Sequence, residues 1–104
     1  MAEKTVTEVI NYLKDCLLLY GIKYNHLALF GSQLKKTATG DSDIDLIIVS
    51  DEFENKDIFE RSKITMKAEM DTLDKYMIPL DVLKLTTSEY QQAIRNMRYE
   101  MKIV

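Results

Sequence analysis

Ile44-Asp45-Leu46-Ile47-Ile48-Val49 is aliphatic except for one carboxylate, and the chain enters it through a second, Asp43. A run this short and this rich in β-branched residues reads as a strand. Strand side chains alternate between faces, so Asp43 and Asp45 look out together while Ile44, Leu46 and Ile48 look the other way. Carboxylates at positions i and i+2 stand about 6 to 7 Å apart at the backbone. At an effective dielectric of 20 their repulsion is roughly 3 kcal/mol. A chain that keeps both acids has a use for positive charge between them.

Two further features share that use. Phe30-Gly31-Ser32 closes a short apolar run, Leu27 to Phe30, and Ser32 to Lys36 reads as a brief helix, which puts the Gly-Ser amides where a phosphate can be received. Asp81 interrupts a second apolar run, Leu80 to Leu85, opened by Pro79, a position where a strand tolerates proline. Mg²⁺ suits such a set, because it takes oxygen ligands and keeps positions open for substrate phosphates. Two ions about 3.5 to 4 Å apart clamp both oxygens of an in-line phosphoryl displacement.

The remaining elements are amphipathic. Thr5-Val6-Thr7-Glu8 has the form of a capping box, followed by Val6, Val9, Ile10, Leu13, Leu17 and Tyr20 at helical spacing until Gly21. Thr37 to Ser42 is a polar loop, and Asp51 to Asp57 is an acidic turn. Phe59, Met66, Met70, Leu73 and Met77 mark a second helix with one apolar face. Thr86-Thr87-Ser88-Glu89 again has the form of a capping box, and Tyr90, Ile94, Met97 and Met101 continue as a last helix. The order αβ(α)βαβα predicts an α/β sandwich on a small sheet.

The 104 residues make one domain, with no room for a separate recognition domain. Lys and Arg number 14 against 17 Asp and Glu and are scattered, which argues against extended nucleic acid as the main partner. One cysteine, Cys16, cannot form an internal disulfide, and no signal-like segment opens the chain, so a cytoplasmic protein is expected. No apolar run approaches the roughly 18 residues of a membrane span. His26 reads as a surface or capping residue, Cys16 as a buried apolar one, and the methionines as core filler or a surface adapted to a partner.

Gly31-Ser32, ten residues, Asp43-Ile44-Asp45, and Leu80-Asp81-Val82 after a helix resemble the signature of the DNA polymerase beta-type nucleotidyltransferases. Within that superfamily the chain is similar to the minimal nucleotidyltransferases, single-domain proteins often paired with a HEPN-domain partner in toxin–antitoxin modules. The resemblance implies a small mixed sheet with helices on one side and carboxylates on adjacent strands at the open face. It implies that Gly31 and Ser32 bind a nucleoside triphosphate, that Asp43 and Asp45 bind two Mg²⁺ ions, and that Asp81 completes the site beside the attacking hydroxyl. Many relatives carry Arg after the Gly-Ser pair; this chain has Gln33, and Lys35 or Lys36 would have to supply that charge. The expected activity is AMP transfer from ATP to a hydroxyl on a HEPN-type toxin, an antitoxin role. The alternative is a catalytically weak or inactive module of the same fold that neutralises a partner by covering it.

Overall fold

The computed structural model describes residues 3–30, 43–96 and 101–104. Helix α1 (Glu3–Leu19) leads into strand β1 (His26–Phe30) and then β2 (Ile44–Val49); a 3-10 turn, Asp51–Phe53, precedes helix α2 (Ile58–Tyr76). Strand β3 (Leu80–Leu85), helix α3 (Thr87–Asn96) and strand β4 (Met101–Ile103) follow. The four strands form one mixed sheet in the order β3-β2-β1-β4. β2 runs parallel to β3, and β1 runs antiparallel to both β2 and β4.

Parity sorts the strands onto two faces. Leu27, Leu29, Ile44, Leu46 and Ile48 pack in one buried cluster with Val9, Leu13 and Leu17 of α1 and Ala68 of α2. Each fully buried side chain of this size contributes roughly 1.5–3 kcal/mol, so this face carries most of the stability. The opposite face holds Ala28, Ile47, Val49 and, from α3, Tyr90. The helices are therefore not all on one side: α3 caps the far end of the second face. The end bearing Asp43 and Asp81 is left exposed among the described residues.

Gly21 ends α1 as expected, with φ +71, while Ile22 donates back to the Leu17 carbonyl at 2.9 Å. The proposed first capping box is not one, because Thr5 already lies inside α1. A box the sequence reading passed over opens α2 instead: Asp57 accepts from Glu60 N–H at 2.8 Å and Glu60 accepts from Asp57 N–H at 3.2 Å.

Two expectations fail for physical reasons. The last helix is described as far as Asn96, Met97 lies outside the described residues, and Met101 is in β4, whose Met101, Lys102 and Ile103 pair with Phe30, Leu29 and Ala28. The open edge of β1 offers this segment ladder hydrogen bonds, to which Val104 N–H adds a bond to the Leu27 carbonyl at 2.9 Å. The apolar stripe of α2 is not its buried face. Phe59, Met66, Met70 and Met77 are 76%, 53%, 51% and 77% exposed, while Thr65, Ala68 and Thr72 are buried. The helix is rotated by its polar anchors. Arg61 bonds Glu89 and the Lys84 carbonyl, Glu69 pairs with Lys84 at 3.2 Å, and Tyr20 of α1 donates to Asp71. Threonine satisfies its own hydroxyl in the buried stripe, where Thr72 donates to the Ala68 carbonyl at 2.8 Å.

The second capping box is present. Thr86 Oγ1 accepts from Glu89 N–H at 3.2 Å, and Glu89 accepts from Thr86 N–H at 2.8 Å. Arg61 grips the same carboxylate through both terminal nitrogens, at 2.6 and 3.2 Å. The Arg61 bond first, then the Thr86 amide, hold the Glu89 carboxyl below its usual range. A depressed carboxyl contributes stability that is present above the unfolded value of 4.5 and lost as pH falls through the folded one. Glu89→Gln is thus expected to cost about 1 kcal/mol, a modest figure because the side chain is partly exposed. Thermal denaturation should show that deficit at neutral pH and its disappearance in acid; a deficit constant with pH would remove the charge from the account.

Candidate active site

The carboxylates are organised by the ladder between β2 and β3. Asp45 stands directly across from Asp81 in parallel register, with Ile44 across from Leu80 and Leu46 across from Val82. The pairing is pinned at its entry by Ile44 N–H, which donates to the Pro79 carbonyl at 3.0 Å. Register partners share a face, and neighbouring strands lie about 4.8 Å apart. The two acids therefore meet on the face that carries Ile47 and Val49, opposite the main core. Asp45 is half-buried, and Asp43 and Asp81 are exposed.

Electrostatics report the same proximity. Burial first, then the charge of Asp81, then that of Asp43, with a hydrogen bond to Asp81, raise the Asp45 carboxyl above its usual value. A carboxyl raised in the folded state keeps its proton longer there than in the unfolded chain. Folding stability therefore falls as pH rises from 3.8 through the folded value. The arrangement is costly for the bare protein and is relieved by a cation. As they lie, however, no three His, Cys, Asp or Glu side chains among the described residues are gathered closely enough to hold a metal ion. Asp45 and Asp81 form a pair, and Asp43 acts on it by charge from the mouth of β2. The donor set still fits a hard divalent cation: oxygen only, with room left for other ligands.

On its other side Asp45 faces Phe30, the last residue of β1. Gly31 and Ser32 follow Phe30 directly in the chain, and Asp43 lies two residues before Asp45. Gly31, Ser32, Gln33, Lys35 and Lys36, the residues expected to meet phosphate, lie outside the described residues.

The same face contains a residue that sequence reasoning misjudged. His26 is neither free on the surface nor a cap: its ring meets Tyr90 edge-on at 4.7 Å, its Nε2 is buried with no partner among the described residues, and burial lowers its pKa. Its parity with Ala28 and Phe30 is the signal that could have placed it there. Arg61 was also passed over, since nothing in its local sequence reveals a partner 28 residues away. Cys16 is buried, as expected.

Asp45→Asn removes one of the facing charges. It is expected to raise the melting temperature of the metal-free protein at neutral pH by a few degrees, about 1 kcal/mol after solvent screening. It should also abolish any increase that Mg²⁺ gives the wild type. Identical melting temperatures with and without the charge would show that the pair is not under electrostatic strain.

Comparison with known proteins agrees with this geometry. None of the curated proteins matches the sequence. Among solved structures, a nucleotidyltransferase candidate from Sulfolobus solfataricus superposes with a TM-score of 0.55 at 16% identity, covering 88% of this chain and 82% of that one. A protein from a structure described as a toxin–antitoxin with AMP-PNP gives 0.59 at 20% identity, covering 89% and 69%. At these identities the likeness is one of fold. A family model of the nucleotidyltransferase domain matches residues 8–103, nearly the whole chain, and spans β1, β2 and β3 with all three acids. The chain belongs to the nucleotidyltransferase domain family, whose members generally use a nucleoside triphosphate and a divalent metal.

Proposed function

We propose that this chain transfers AMP from ATP to a hydroxyl on a partner protein, with Asp43, Asp45 and Asp81 as its carboxylate set and Gly31 and Ser32 at the triphosphate. The observation that carries the reading is the in-register Asp45–Asp81 pair, with the Asp45 carboxyl raised by its neighbours. Mg²⁺ bound there would neutralise the acids and the phosphates and make the α-phosphorus more electrophilic. Asp81, exposed at the rim, is the group to receive the acceptor's proton. The acceptor oxygen bonds to the α-phosphorus, the bond to the β-phosphate bridge breaks, and pyrophosphate leaves. Lys35 and Lys36 would balance charge that Gln33 cannot.

The structural neighbour described as a toxin–antitoxin with AMP-PNP supports an adenine nucleotide and a toxin partner. A HEPN-type toxin is the acceptor we favour, which makes this chain an antitoxin. The second reading, a module that neutralises its partner by covering it, draws on Gln33 and on there being no closed three-acid cluster among the described residues.

Incubation with ATP, Mg²⁺ and the partner, followed by intact mass measurement, separates the two. Transfer should add one or more AMP units to the partner and fall by about a hundredfold or more in Asp81→Asn. A partner inhibited without a mass change, by wild type and variant alike, selects the covering module. Ser32→Ala should weaken ATP binding by about 1.5 to 3 kcal/mol while leaving Mg²⁺ binding nearly intact. Equal calorimetric affinity for ATP in both proteins would take Ser32 out of the site.

A further inference from the structure

Little holds α3 to the sheet. Tyr90 is its one buried residue among those described, and Ile94, a turn further on, is 48% exposed. The start of the helix is tied down twice: Arg61 grips Glu89 at 2.6 and 3.2 Å, and Thr87 donates to Asp51 at 2.9 Å. Beneath Tyr90 lies His26, the first residue of β1 and the single histidine of the sequence. The two rings meet edge-on with centroids 4.7 Å apart, and Nε2 of His26 is buried with no partner among the described residues. In the neutral ring this leaves one hydrogen bond unmade; in the imidazolium both nitrogens are donors and the ring is charged. A buried unpaired charge costs far more than a buried unpaired dipole.

The surroundings offer such a charge no relief. β2 sets Val49 across from His26, and Ala28, Ile47 and Val49 complete the cluster with Tyr90. On β4, Lys102 pairs with Leu29 and so belongs to the opposite face. Asp51 and Glu52 lie in the turn after β2, where Asp51 receives the Thr87 hydroxyl; on α3, Glu89 is taken by Arg61, and Arg95 is an exposed cation. Burial, with no contribution from a charged neighbour, lowers the His26 pKa.

We propose that His26 is an acid-sensitive latch for α3: a proton taken up from solvent at its buried Nε2 drives Tyr90 and the body of the helix off the sheet, while the Arg61–Glu89 pair keeps the first turn in place. His26 accepts that proton at the ordinary value of 6.5 once the helix has lifted, and less readily while it is covered. The closed position is therefore fully favoured above 6.5 and loses ground as pH falls from there toward the covered value. Arg61 holds the Glu89 carboxyl below 4.5, so the anchor keeps its charge as His26 begins to titrate. Asp45, whose carboxyl is raised, stands across from Phe30, about 13 Å along β1 from His26. The latch is independent of the transferase reading.

Two measurements on the full chain, untagged so that His26 stays its one histidine, test it. Proton NMR follows the His26 ring through a pH titration, and hydrogen exchange with mass spectrometry follows the backbone of 87–96 over the same range, corrected for the intrinsic pH dependence of exchange. The expected result is a His26 midpoint below 6.5. Protection of 87–96 should fall between 6.5 and that midpoint, about tenfold for each pH unit between them, while α1 is unchanged. In His26→Phe, whose ring can still meet Tyr90 and takes no proton, the fall should vanish. A His26 that titrates at 6.5 or above, protection of 87–96 that holds through its titration, or a fall that persists in His26→Phe overturns the proposal. The first two outcomes are read on the wild type, so they decide even if the variant does not fold.

Discussion

The parallel ladder between β2 and β3 decides where everything else stands. It puts Asp45 across from Asp81, and the same pairs bury Ile44, Leu46 and Ile48 beneath the helices. A slip of one residue would turn the acids into the core and the aliphatic residues out to water, so the core and the carboxylate pair fix each other's positions. The repulsion carried by the pair is tolerated because the buried cluster on the other face outweighs it. Helix α2, the crossover between these two strands, is clamped to the ladder at Lys84, by Arg61 on its carbonyl and by Glu69 on its side chain.

Much of this was legible in the chain. Alternation in Ile44–Val49 foretold both faces of β2, Pro79 marked the entry to β3, and Thr86 with Glu89 announced the start of α3, because each signal is local and each wins locally. The rotation of α2 was not legible. Hydrophobicity points to the methionine stripe as the buried face, yet the ion pairs and hydrogen bonds of Arg61, Glu69 and Asp71 turn Thr65, Ala68 and Thr72 inward. β4 was hidden for another reason. Met101–Ile103 is too short to show a period, and its partner lies more than 70 residues upstream. Of the candidate site, the acid pair follows from strand parity; the triphosphate half rests on motif and family alone.

The two faces of the sheet divide labour. One is packed by α1 and α2 and is dry. Among the described residues the other buries Ala28, Ile47 and Val49 with Tyr90, whose ring also meets His26, and is exposed at Asp43 and Asp81. Arg61 and the capping box of α3 sit at the covered end. Changes made there act on the position of α3 without touching the acids, which gives the stability of the domain and the chemistry of the rim separate handles.

The pairing of β4 with β1 also sets an order of events in synthesis. β1 is flanked by β2, which follows it closely, and by β4, which is made more than 70 residues after it. Until residues 101–104 clear the ribosome, the backbone of Leu29 and its neighbours offers an unpaired strand edge on that flank. Contacts this far apart in sequence form slowly, since the chain must close its longest loop to make them. The strand that delivers the chain to Gly31 is thus sealed on its outer side only after β4 has been made, and a variant whose residues 101–104 cannot pair would keep that edge open.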